Sequence, residues 1–242
     1  MKRFLTPLQL FVTVVMFIEI ATVFGVAAFP AVSLWLWASE RMPFGGAART
    51  LALCILAALG YFLSGVVLLF VVPIARWVTL SFGTPLGKYP YASVRGYQWA
   101  SYNALTLAVR YSFINWVRVT PFIILFHRMM GMKIGARVQI NTAVVSDQNL
   151  ISIGDDTVVG GDVTLVAHAV EGPNIVTAPV KIGSNVTLGL MAVVMPGCEI
   201  GDHAMIAANA VLKKGTIVKP YEIWGGVPAQ RMGERKTLEA RK

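Results

Sequence analysis

Residues 182–229 read, in sixes, IGSNVT LGLMAV VMPGCE IGDHAM IAANAV LKKGTI VKPYEI WGGVPA. The first position is Ile182, Leu188, Val194, Ile200, Ile206, Leu212, Val218 and Trp224, all large and apolar. The fifth is Val186, Ala192, Cys198, Ala204, Ala210 and Thr216, all small or β-branched. A sustained period of six predicts a coil in which each hexapeptide supplies one short strand and one corner, and three of them close a turn of about 18 residues. The large side chains then fill a triangular prism, and the small ones fit its tight corners. Glycine recurs at the second position (Gly135, Gly154, Gly160, Gly183, Gly189, Gly201, Gly225), implying a backbone that larger residues would strain.

The same phase extends upstream through Ile134, Ile140, Ile153, Val159 and Leu165, and it slips twice. Ile140 to Ile153 is one residue longer than two repeats, and Leu165 to Ile182 is one shorter than three. Both slips predict loops leaving the coil, near Val145–Leu150 and Val170–Pro179. Loops on a rigid solenoid are where function collects.

The first third of the chain has a different texture. Of 242 residues, 56% are hydrophobic and 14% charged, against about 25% charged in an ordinary soluble domain. Two stretches, about Leu8–Ala38 and Thr50–Phe82, exceed the roughly 20 apolar residues that cross a bilayer. They predict a retained helical hairpin over 1–88, with Trp35, Trp37 and Trp77 at the interfaces. Lys2 and Arg3 before the first span, and Arg76, Lys88 and Arg95 after the second, place both ends in the cytoplasm. That orientation puts the coil on the cytoplasmic side, and the expected location is a bacterial inner membrane. A net charge of +9 suits contact with anionic membrane lipids or a polyanionic cofactor. No nucleic-acid module appears. Glu19 stands alone in the first span, where it is expected to bond Ser64 or Tyr61 or to stay protonated.

Residues 89–130 mix aromatics with Arg110, Arg118 and Arg128. They predict interfacial amphipathic helices, divided at Pro121, with the arginines reaching headgroups; a linker packed on the next domain is the other reading. His127 is read there as a lipid-facing polar contact. Residues 131–229 form the coil domain and 230–242 a basic tail. The expected fold is thus a membrane-anchored all-β protein: a transmembrane hairpin, interfacial helices, then a parallel β-helix. Cys54 and Cys198 sit in unlike settings and predict neither a disulfide nor a metal site. Cys198 falls at an inward position and reads as core. His168 lies at the edge of the second slip, where an imidazole suits a general base; His203 reads as a solvated corner residue.

The repeats, the histidine followed by a loop, and the ending WGGVPAQRM resemble the hexapeptide-repeat acyltransferases, and within them the sugar and xenobiotic O-acetyltransferases. The likeness covers roughly 131–235 and is densest from Ser152 to Lys214. It implies a left-handed coil, an exception to the usual crossover hand. It also implies a homotrimer and an acyl-CoA co-substrate, most simply acetyl-CoA, with acyl carrier protein as another possible donor and no metal. His168 would take the proton from an acceptor hydroxyl or amine. Asn141, Asp147 and Glu171 would face the acceptor, although the first two also suit corners that satisfy backbone groups. Gly189, Ala207 and Ala208 would let the pantetheine arm run close to the backbone. Leu190 stands where some relatives have serine. Lys213 and Lys214 would meet cofactor phosphates, with Arg231 a displaced further candidate. The membrane part resembles the terminal region of some membrane-anchored peptide synthetase-like proteins, whose repeats also follow MGxKIG, here Met130–Gly135.

The implied activity is transfer of a short acyl group to a saccharide, lipid-linked or in the cell envelope. Two competing readings are a non-catalytic trimerising module that assists an envelope synthase or transporter, and a metal-dependent lyase of the carbonic-anhydrase type. The lyase needs about three converging histidines, and the repeats hold only His168 and His203.

Overall fold

The computed structural model describes residues 2–43, 45–79 and 81–235. The basic tail is therefore described only to Arg235, and the side chains of Lys2 and Arg3 lie outside the described ones.

From Lys133 the chain winds into a parallel β-helix with three faces. Each rung is a strand of two or three residues that pairs in parallel with the strand three hexapeptides further on. Leu188 lies beside Ile206, Val194 beside Leu212, and Ile200 beside Val218. Val159, Leu165, Leu188, Val194, Ile206 and Leu212 are fully buried along the axis. Val186, Ala192, Cys198, Ala204 and Ala210 are buried beneath the corners. Burying one such aliphatic side chain contributes about 1.5–3 kcal/mol, so the period itself is the main stabilising pattern.

The corner geometry corrects one expectation. The left-handed backbone falls at the fourth position, not the second: Asn185, Met191, Gly197, His203, Asn209, Gly215 and Tyr221 have φ between 57° and 77°. Glycine at the second position answers a different demand. A Cβ on Gly189 would sit 2.5 Å from the Ala208 nitrogen, and one on Gly154 would sit 2.6 Å from the Ser184 nitrogen. Adjacent coils stack too closely there for any side chain. The recurring acid at the third position is explained as well. Asp155 Oδ1 accepts from the Ala136 N–H and Asp202 Oδ1 from the Ser184 N–H, each at 2.7 Å, so each carboxylate satisfies a corner amide of the neighbouring coil.

Both slips are ordered. At the first, Val145 bridges to Leu165 and Gln148–Leu150 makes a single 3-10 turn. At the second, His168–Glu171 and Asn174–Thr177 form an antiparallel hairpin, whose outer edge is extended by Gly87–Pro90. The expected loop is thus part of a three-stranded sheet.

Two long helices precede the coil, α1 (Lys2–Arg41) and α2 (Gly46–Val78). Val23, Ala27 and Ala31 form a buried stripe at helical spacing, and the Ala31 Cβ lies 3.4 Å from where a Cβ on Gly60 would stand. Small residues permit that approach. Both helices are long and apolar enough to cross a membrane. Only 17% and 22% of their most apolar windows are buried, so most of that surface is open, unlike a soluble core helix.

Helix α3 (Val94–Ser112) and helix α4 (Pro121–Met129) complete the fold. Pro121 opens α4, as its position predicted. Tyr102, Leu105 and Val109 of α3 are fully buried in one apolar cluster that runs from Leu69 and Val72 of α2 to Ile140 and Val145 of the coil. The segment is therefore a wedge between hairpin and coil as well as a surface, because Tyr111, Trp116, Phe122 and Leu125 stay exposed. Two of its arginines are tied to the coil. Arg118 pairs with Asp162 at 2.8 Å, and Arg128 donates to the carbonyls of Ile134 and Gly135.

His127 is not a lipid contact. It is wholly buried, its ring nitrogens have no hydrogen-bond partner among the described residues, and burial lowers its pKa to about 4, so it is a neutral core residue. Glu19 bonds neither Ser64 nor Tyr61. Its Oε2 accepts from Ser101 on α3 at 2.8 Å, while Ser64 donates to the Gly60 carbonyl and Tyr61 to that of Ser112.

Ile206→Ala removes a fully buried first-position side chain. It is expected to destabilise the protein by about 2–5 kcal/mol, seen as a lower denaturant midpoint.

Candidate functional site

The two slips bring Asp147 and His168 to the same corner of the coil. His168 begins the hairpin strand, and its Nδ1 lies 2.5 Å from Asp147 Oδ2. Asp147 is fully buried and adopts φ 60°, a left-handed conformation that Asp tolerates better than most residues.

Four donors surround its carboxylate. Thr84 Oγ1 donates to Oδ1 at 2.7 Å and Asn103 Nδ2 to Oδ1 at 3.0 Å. The Ala167 N–H donates to Oδ2 at 3.1 Å, beside His168. Burial alone would push this carboxyl up. The hydrogen bond and charge of His168, with the bonds from Thr84 and Asn103, outweigh that and hold it below the usual carboxylate range. An ionised acceptor at Nδ1 fixes the proton there and leaves Nε2 of a neutral imidazole as the basic nitrogen. His168 is half-exposed, and the Trp99 ring stands edge-on to it with centroids 5.0 Å apart.

Thr84, Trp99 and Asn103 were invisible from the repeat, because they come from the loop after α2 and from α3. An asparagine in the apolar run SYNALTLAV was the one available signal. Thr177, opposite His168 in the hairpin, fastens that loop to the strand: its hydroxyl accepts from the Gly87 N–H and donates to the Pro85 carbonyl.

The other expected residues fall into two groups. Glu171 and Lys214 form an ion pair that ties the hairpin to the same corner as His168, and Lys214 holds the Glu171 carboxyl below its usual range. Lys213 is exposed beside them and has no carboxylate partner among the described residues. Gly189, Leu190, Ala207 and Ala208 lie along a different corner. Gly189 stacks directly on Ala208, and Leu190 reaches over Gly161 near Asn141. Asn141 thus lies on this second corner and not with His168.

Two expected roles meet obstacles. The Asp147 carboxylate is enclosed and fully bonded, so it orients His168 and does not face an acceptor. Arg231 is engaged by Glu222 at 3.0 Å and by Glu234, which leaves it poorly placed for a cofactor phosphate. Cys198 is buried, and burial raises its thiol, so it is a core residue here. His203 stacks flat on Tyr221.

Residues 179–214 match the family described as bacterial transferase hexapeptide (six repeats), so this part of the coil is similar to the hexapeptide-repeat transferases. The chain is 25% identical over 118 residues to the delta-poly-L-ornithine synthetase of Acinetobacter baumannii, covering 49% of this chain and 9% of that one. It is 28% identical over 135 residues to YvoF of Bacillus subtilis, an acetyltransferase by inference, covering 53% and 77%. It is 31% identical over 101 residues to the galactoside O-acetyltransferase of Escherichia coli, covering 39% and 48%. The chain therefore spans less than half the length of two of these three relatives.

A carboxyl depressed in the folded state stabilises it fully above its unfolded pKa, about 4, and that contribution drains away as pH falls through the folded value. Asp147→Asn is accordingly expected to flatten the acid side of a plot of unfolding midpoint against pH. Asn103→Leu is expected to cost about 1.5–3 kcal/mol near pH 7, the worth of a hydrogen bond to a charged group, read from the same midpoints.

Proposed function

We propose that this chain is a membrane-bound, acyl-CoA-dependent acyltransferase that moves an acetyl or other short acyl group to a hydroxyl or amine of a saccharide held at the membrane. The observation that carries the reading is the Asp147–His168 pair, with Nδ1 engaged at 2.5 Å and Nε2 free to receive a proton. The named acetyltransferases among the relatives support it.

The acceptor hydroxyl donates its proton to His168 Nε2 as its oxygen attacks the thioester carbonyl. The tetrahedral adduct then expels the thiolate, which recovers the proton from the imidazolium. Asp147 stays ionised and stabilises that imidazolium, in the manner of the carboxylate in a serine-protease triad. The chain itself supplies no covalent nucleophile in this scheme.

The donor is assigned to the second corner. There Gly189, Ala207 and Ala208 leave room along the backbone for a narrow pantetheine arm. The two corners of one coil face apart, so a neighbouring copy is needed to bring a donor edge to a His168 corner. A homotrimer does this for all three copies at once. Lys213, exposed at the His168 corner with no carboxylate partner among the described residues, suits a phosphate; Lys214 shares its charge with Glu171.

Membrane placement is supported by the two open apolar helices and the exposed aromatic belt of Tyr111, Trp116 and Phe122. The positive-inside bias supports a cytoplasmic coil, on the side where acyl-CoA is available.

His168→Ala is expected to lower acetyl transfer from acetyl-CoA by about 10²–10⁴-fold while the variant still binds coenzyme A. Binding is read as a coenzyme-dependent rise in melting temperature. Wild-type turnover in the purified variant would overturn the reading.

A further inference from the structure

A groove of about 760 Å³ lies between the first half of α1 and the start of α3. Its volume is that of a small-molecule site. Val12, Val15 and Met16 form one wall, and Tyr91, Tyr97 and Ala100 the other. Among the described residues none that lines it is acidic.

We infer that this groove seats the hydrocarbon chain of a lipid-linked acceptor, with the anionic head of that lipid at Arg95 and Lys88. The inference rests on the acyl-transfer reading and adds the acceptor's class to it.

Three observations converge. First, the α1 wall belongs to an apolar helix, and its groove-lining Phe11 and Phe17, with Val14 between them, are exposed, so the groove opens beside apolar surface. A chain can thus slide in sideways without leaving an apolar medium. Second, the α3 wall leads to the base. Tyr91 meets Trp99 with ring centroids 6.0 Å apart, and Trp99 meets His168 at 5.0 Å.

Third, the path between groove and base is cationic. Arg95 is exposed next to the groove residues Val94 and Gly96, with its guanidinium 5.8 Å over the ring of Tyr89. Lys88 is exposed on the strand that extends the His168 hairpin. Neither pairs with a carboxylate among the described residues. A neutral lipid would leave Arg95 without a partner and Lys88 with only the field of Glu171, which Lys214 already pairs, and a water-soluble sugar would leave the groove unused. The donor corner at Gly189–Ala208 is a separate surface, so the groove belongs to the acceptor side.

The test is photolabelling of the full chain in nanodiscs with a diazirine-tagged long-chain prenyl phosphate, mapped by mass spectrometry. Label is expected on residues 9–20 and 91–100. It should be displaced by untagged prenyl phosphate but not by the same excess of phosphatidylglycerol. Ala100→Trp fills the groove and is expected to weaken labelling about tenfold, the effect of displacing about two buried methylenes. Arg95→Glu tests the head separately and is expected to weaken labelling while leaving the melting temperature unchanged.

Label spread evenly over both helices, or displaced equally by phosphatidylglycerol, would show an ordinary bilayer contact and overturn the inference. Labelling requires no turnover, and His168→Ala should label as the wild type does. Failure of the transfer reaction and failure of the groove are therefore read in different assays.

Discussion

One constraint governs the second half of the molecule: every coil must present a large aliphatic side chain inward at the same height as its neighbours. The stack from Val159 to Leu212 meets it with fully buried residues. Close stacking then fixes the rest. Second positions shrink to glycine or alanine where coils touch, fourth positions accept left-handed backbone, and third-position acids bond the next corner's amide. A prism so filled has no inward place for chemistry, so reactive groups must stand at corners or at interruptions of the period.

The first interruption shows how a charge is placed on such a scaffold. The extra residue between Ile140 and Ile153 turns Asp147 out of the prism into a pocket that the coil alone does not close. Leaving a buried carboxylate short of partners costs several kcal/mol. Two of its four donors, Thr84 and Asn103, come from outside the repeats. The orientation of His168 thus depends on the position of α3 and of the loop that follows α2. A coil cut free of its N-terminal part would lose half the hydrogen bonds around Asp147 and the α2 and α3 side of the apolar cluster that reaches Ile140 and Val145.

The period made the coil, its inward residues and both slips legible, because each hexapeptide repeats the same local physics. It also pointed to His168, since a slip is visible as a change of phase. It misplaced the strained corner residue: Asn185, His203 and Tyr221 share a backbone conformation but no side-chain chemistry. It also read Asp147 as an acceptor contact. The partners that enclose Asp147 lie 44 and 63 residues away along the chain, and no pattern within the repeat records them. Arg118 and Arg128 read as headgroup contacts for the same reason, since their coil partners are tertiary.

Helix α3 is the element that joins the two halves. Ser101 donates to Glu19 of α1, and Asn103, two residues on, donates to Asp147 of the coil. Residues two apart in a helix point to nearly opposite faces, so α3 is pinned by a carboxylate on each side. Its apolar residues Leu105 and Val109 fill the space between those bonds. Rotation of the helix would break one of these hydrogen bonds and strain the other. That rigidity carries Trp99 with it, and Trp99 is the ring against His168. The same fixed helix therefore sets the distance between the groove at its first turns and the imidazole beyond them.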